Sequence, residues 1–154
     1  MRELEIYKGI LEFFKIEELV GSRTSQRYGE RALRFFDMRL LHTILVVRKE
    51  LKRAITINTW HKVTGGFSQR GLRENICSIV KGETLANKLY LSGHVTGKAL
   101  DFDVAGMTAQ EVRTWCVENA DRLPYKIRLE DGVGWVHLDV TWEEKNPKVY
   151  LFNP

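Results

Sequence analysis

Between residues 30 and 52 the chain reads ERALRFFDMRLLHTILVVRKELK. Leu33, Phe36, Leu40, Ile44 and Val47 recur there at helical spacing, which predicts one long core helix. AITINTW, 54–60, alternates and is rich in β-branched residues, so it predicts a strand. GGFSQRGLRENICSIV opens as a glycine-rich turn and predicts a helix after about Gly71, while 81–93 reads as a loop. ALDFDV, 99–104, is a short strand. In MTAQEVRTWCVENADRL, Thr108 is the N-cap, with Glu111 three positions on as in a capping box and Val112, Trp115 and Cys116 on one face. YKIRLE and WVHLDV alternate at period two on either side of DGVG, and KVYLF follows, which predicts an antiparallel hairpin extended by a last strand. The class is α+β with an antiparallel sheet.

A chain of 154 residues is the size of one domain, and no repeat, linker or low-complexity stretch divides it. The 24 Lys and Arg against 20 Asp and Glu give a formal charge of +4. This basicity is dispersed. It suits an anionic polymer such as cell wall, but it forms no stripe with interleaved aromatics, so nucleic acid is not an expected partner. The first 21 residues carry scattered acids and lack the apolar core of a signal peptide, and LLHTILVV is too short to span a membrane. The expectation is a monomer kept in the cytoplasm where it is made. Cys77 and Cys116 are not in a CxxC spacing and read as free, buried thiols.

The chemistry concentrates in SGHVTGKALDFD, 92–103. A catalytic zinc commonly takes three nitrogen or carboxylate ligands and leaves a fourth position to water. His94, Asp101 and a second histidine meet that need, and His137 in WVHLDV is the natural third. His42, alone on the long helix, reads as structural.

Ser92, His94, Gly97, Ala99 and Asp101 fit S-x-H-x-x-G-x-A-x-D, and Trp135-Val136-His137 fits W-x-H. The pair of motifs resembles those of the zinc D-Ala-D-Ala carboxypeptidase family, which includes D,D-dipeptidases and the L-alanyl-D-glutamate peptidases of phage endolysins. FFKIEELVGS resembles that family's short opening helix, 30–60 its long helix and first strand, and QRGLREN its substrate-side loop. The resemblance thus covers an opening segment, 1–29, and a core, 30–154. It implies the α+β fold shared with the hedgehog signalling domain, with a small antiparallel sheet and helices packed against it. It also implies Zn2+ held by His94, Asp101 and His137, and a peptidoglycan stem peptide as substrate. The phage members leave the cytoplasm at host lysis, a route that needs no signal peptide.

The family commonly carries an acid three residues before its last histidine, and here that position is Gly134. If DGVG is a tight turn, Glu130 pairs opposite Trp135 and Arg128 opposite His137, so all four share one sheet face. Glu130 is then the expected general base, with Asp131, a turn residue, in reserve. FSQRGLREN resembles the family's S-G-Y-R-S-P-x-x-N region, which aligns Arg70 with the substrate-side arginine and Asn75 with its asparagine. Arg70 is expected to hold a carboxylate or the oxyanion, whereas Arg73 reads as a solvated loop cation. Ser92, Trp135 and His61 are further expected substrate contacts, and Asp103 and Asp139 are expected to orient the imidazoles. In the implied reaction Glu130 takes a proton from a water activated by zinc, which attacks a peptide carbonyl. Gly134 supports an alternative, a catalytically inactive zinc-binding module of a wall-binding or virion structural kind.

Overall fold

The apolar positions at helical spacing between residues 30 and 52 are buried, but two elements carry them rather than one. The computed structural model describes residues 1–154. Glu3–Phe13 (α1), Ile16–Leu19 (α2) and Ser22–Tyr28 (α3) are helices, Gly29–Phe35 is a 3₁₀ segment, and Met38–Leu51 (α4) is the core helix. The expected continuous helix breaks at Phe36, whose backbone is extended, because the Asp37 carboxylate caps α4 by accepting the Arg39 amide at 2.9 Å. Starting a new helix leaves its first amides without intrahelical partners, and the Asp37 carboxylate satisfies one of them. Leu33, Phe36, Leu40, Ile44 and Val47 still point inward.

Ile55–Thr56 (β1) is followed by helix Ser78–Leu85 (α5), strand Ala99–Val104 (β2), helix Ala109–Glu118 (α6) and strands Ile127–Glu130 (β3), Val136–Asp139 (β4) and Val149–Phe152 (β5). The sheet order is β1-β2-β4-β3-β5. The fold is α+β, with every strand pair antiparallel except β3 and β5, which run parallel. The last strand therefore extends the hairpin in the opposite sense to the one expected. Thr108 caps α6 with Glu111 in the capping box that its sequence announces. No helix is long and apolar enough to cross a membrane.

Strand alternation divides the sheet into two chemistries. Leu100, Phe102, Ile127, Leu129, Val136 and Leu138 enter the core shared with α1 and α4. Asp101, Arg128, Glu130, His137 and Asp139 take the other face and line one cavity.

Three expectations shift at the edges. Only Ile55–Thr56 of 54–60 pairs in the sheet. Beyond it Asn58, wholly buried, bonds the Val20 carbonyl and the Arg70 amide and so ties three segments together. The helix expected after Gly71 starts at Ser78 and runs into the stretch read as loop. Residues 70–73 are instead held as a bend and a single bridge, since the Asp101 amide donates to the Arg70 carbonyl, the Leu72 amide to the Leu19 carbonyl and the Arg73 amide to the His94 carbonyl. Of the two free thiols only Cys116 is buried, and burial pushes it up to about 12; Cys77 is partly exposed.

Candidate metal centre

Two of the three expected ligands face each other across a strand ladder. Asp101 on β2 is the direct partner of His137 on β4, so their side chains rise from the same face as a cross-strand pair. His94 comes from the turn before β2. Gly97 makes that turn possible: its φ is +69, and a Cβ there would strike the backbone of Phe35 and Phe36. The turn is closed by Lys98 donating to the Gly93 carbonyl at 2.7 Å, and Asp37 fastens it to α4 by donating to the Gly97 carbonyl at 2.9 Å.

Ligand atoms of His94, Asp101 and His137 lie within 4.8 Å of one another, an arrangement that could hold a metal ion. The ring nitrogens are sorted by their other partners. His94 Nδ1 is 3.0 Å from the Gly71 carbonyl, which leaves Nε2 turned toward the cluster. That nitrogen is buried and lies 3.2 Å from Asp101 Oδ2, yet the approach lacks hydrogen-bond geometry and the atom has no partner. A buried nitrogen with no partner is costly unless something else fills its lone pair. On the other ligand, His137 Nδ1 meets Asp101 Oδ1 at 2.8 Å and Nε2 meets Asp139 Oδ2 at 3.1 Å. Asp139 is in turn held by both Arg128 nitrogens and by the Thr141 amide and hydroxyl.

The electrostatics follow from this packing. Burial opposes charge on Asp101, but the hydrogen bond from His137 and then the close approach of the His94 imidazole hold its carboxyl well below the usual range. Burial would likewise lower His137, and its bonds to Asp101 and Asp139 override that, raising it to about 9 in the metal-free chain. The cluster is thus a charged, desolvated pocket in which a proton on His137 stands where a cation would bind.

The surrounding cavity, about 490 Å³, is lined by Ser92, Glu130, Trp135, Arg128 and Arg73 as well as the ligands. Glu130 therefore shares the ligand face as expected, although the hairpin register differs. Arg128 pairs with Asp139 and Leu129 with Leu138, two residues from the tight-turn pairing. A slip of two preserves which face each side chain takes, and continuing the ladder puts Glu130 across from His137. The cause is a wider loop, 131–135, with Gly132 at φ +74. Asp131 sits in that loop, accepts the Gly132 amide and does not line the cavity, so the reserve base is removed from the site.

A second cavity, about 310 Å³, joins the first at Arg73, Asp101 and Trp135, and contains Arg70. The Arg70 guanidinium pairs with Asp103 and stacks 3.6 Å from the Phe67 ring centre. Arg70 thus borders the neighbouring lobe rather than the ligands, and Asp103 orients an arginine rather than an imidazole. The arginine beside the ligands is Arg73, taken from sequence as a solvated cation. It is largely buried, lies 3.6 Å from Asp101 and donates to the Tyr90 hydroxyl and the Gln69 carbonyl. Its spacing in QRGLREN holds no sign of this; the Arg73 amide donates to the His94 carbonyl and so ties it to the ligand turn. Asn75 is exposed and lines neither cavity, and His61 packs on Trp60 outside both, so neither joins the site. His42 packs edge-on against Tyr125, as a structural residue does.

Compared with known proteins, the chain matches no family model, no curated protein and no solved structure.

Proposed function

We propose that the chain is a zinc peptidase of the D-Ala-D-Ala carboxypeptidase and hedgehog-like type, cleaving an amide of the peptidoglycan stem peptide. The observation that carries this reading is the His94, Asp101 and His137 cluster with its partnerless, buried His94 Nε2. Two imidazoles and one carboxylate opening on a cavity are the donor set of a catalytic zinc, and His94, Asp101 and His137 would hold the ion. When bound, zinc supplies Lewis acidity and lowers the pKa of a water.

The chain's own residues supply the rest. Glu130, on the ligand face, accepts the proton as water adds to the carbonyl carbon and returns it to the amine nitrogen as the C–N bond breaks. Arg73, beside Asp101, donates to the carbonyl oxygen as it gains charge. The two lobes meeting at Arg73, Asp101 and Trp135 give a chain substrate room on both sides of the cut. The mild positive charge suits the anionic wall, and release at host lysis would deliver the enzyme there.

The test is mass spectrometry of stem peptides containing D-Ala-D-Ala or L-Ala-D-Glu after incubation with zinc-loaded protein. Wild type is expected to yield a metal-dependent product whose mass names the bond. His137→Ala is expected to yield none for want of metal, and Glu130→Gln none while retaining zinc. Zinc bound but no product from either linkage would favour a non-catalytic zinc module, the reading that Gly134 supports.

A further inference from the structure

The loop between β3 and β4 carries no ladder pairing of its own, yet its two ends are Glu130 and Trp135, both on the wall of the ligand cavity. What holds it is a buried arginine on the far side of the sheet. Arg113 lies on α6, which packs on β2 and β4, and it is only 4 % exposed. Its Nη1 donates to the Glu130 carbonyl at 3.3 Å and the Trp135 carbonyl at 3.2 Å, and its Nη2 to the Val133 carbonyl at 3.1 Å. Its Nε donates to Gln110 Oε1 at 3.1 Å and stands 3.5 Å from Asp131 Oδ1. One guanidinium therefore donates to the carbonyl just before the loop, to one in its middle and to its last.

Burying an arginine is costly unless its donors are all matched, and a planar fork fits converging carbonyls in a way that a lysine cannot. A helix on a sheet needs only apolar residues at this position, and Val112 and Cys116 on the same helix supply them. The arginine's partners, rather than the packing of the helix, account for its place. On the β5 side the loop is tied more lightly, by the Asp131 amide donating to the Phe152 carbonyl at 2.8 Å.

We propose that Arg113 is a positioning residue: it clamps loop 131–135 from behind the sheet and thereby sets Glu130 and Trp135 over the metal cluster. It touches neither ligand nor substrate. The inference rests on the peptidase reading for its effect on turnover, and on geometry alone for its effect on the loop. The wide loop that moves the hairpin two residues from a tight turn is, on this account, the form the clamp imposes.

The experiment compares wild type, Arg113→Ala and Arg113→Lys by amide hydrogen exchange, cobalt absorption and peptide turnover. Loss of the guanidinium is expected to speed exchange of the loop's two hydrogen-bonded amides, Asp131 (to the Phe152 carbonyl) and Gly132 (to Asp131 Oδ1), by roughly tenfold, with β2 amides unchanged. The cobalt spectrum is expected to match wild type, because His94, Asp101 and His137 lie outside the loop. Turnover is expected to fall about 100-fold with KM little altered, as for a misplaced reacting group, and to recover in part when ethylguanidinium is added. Arg113→Lys, with one donor group, is expected to fall between the two and serves if the alanine variant does not fold. Loop exchange unchanged from wild type in a folded variant, or turnover lost without any rescue, would overturn the proposal. If wild type itself shows no turnover, the peptidase reading fails while the exchange comparison still decides whether Arg113 holds the loop.

Discussion

Asp139 is 2 % exposed and yet carries a charge that several groups share. Burial would raise its pKa, but hydrogen bonds from His137, then Arg128 and Thr141, hold the carboxyl well below the usual range. By accepting from His137 Nε2 it leaves Nδ1 directed at Asp101. Asp139→Asn removes that charge while keeping the shape. Metal affinity is expected to fall about 10- to 100-fold, as when the outer partner of a ligating histidine is lost. Competition against a chromogenic chelator measures this, and affinity within about twofold of wild type would take Asp139 out of the site. Sequence parity could place Asp139 on the ligand face, two residues from His137, but could not choose its partners. Asp103 has the same parity relation to Asp101 and pairs with Arg70 instead.

The break at Phe36–Asp37 is the element on which sequence and structure part most clearly. Helical spacing was readable because burial enforces it, and it holds across the break; the cap was readable only as one aspartate among others. Three-dimensional context decided it, since Asp37 also donates its amide to the Gly97 carbonyl of the ligand turn. Asp37→Ala is expected to cost about 1 kcal/mol, the usual worth of an N-cap, measured by urea unfolding. The Arg39 side chain, against burial and with help from the Arg39 amide, holds the Asp37 carboxyl below its ordinary 3.8. A depressed folded value means stability that is present above the unfolded pKa and lost as pH falls through the folded one. The gap between wild type and Asp37→Ala should therefore be full near neutrality and shrink in acid below about pH 4. A gap that does not shrink would assign the loss to packing instead of the charged cap.

Across the whole molecule, the site was legible where chemistry and strand parity coincide, at Asp101, His137 and Glu130, and where the spacing of a turn brings His94 up to Asp101. It was illegible where distant segments meet, because Arg73 and Arg113 owe their places to backbone bonds and loop carbonyls that no local spacing encodes. The same convergence of segments would make a metal bound at His94, Asp101 and His137 a fastener for the fold. It would join the turn before β2 to β2 and β4, so removing it should loosen all three. In the metal-free chain, bonds to Asp101 and Asp139 overcome burial and raise His137 to about 9. A raised folded pKa gives stability that is full below the unfolded value of 6.5 and is lost as pH climbs through the folded value. Proton and metal compete for the same nitrogen, so a metal must displace a proton at neutral pH and meets less opposition at higher pH. Zinc at about 100 times its dissociation constant is expected to add about 2.7 kcal/mol. For a chain of this size that is roughly 5–10 °C in Tm. The increment should grow from pH 6.5 toward pH 9, while the metal-free Tm declines over the same interval. Thermal unfolding with zinc and with a chelator, at several pH values, measures both. An increment that stays flat or shrinks would mean that the ion binds somewhere other than His137.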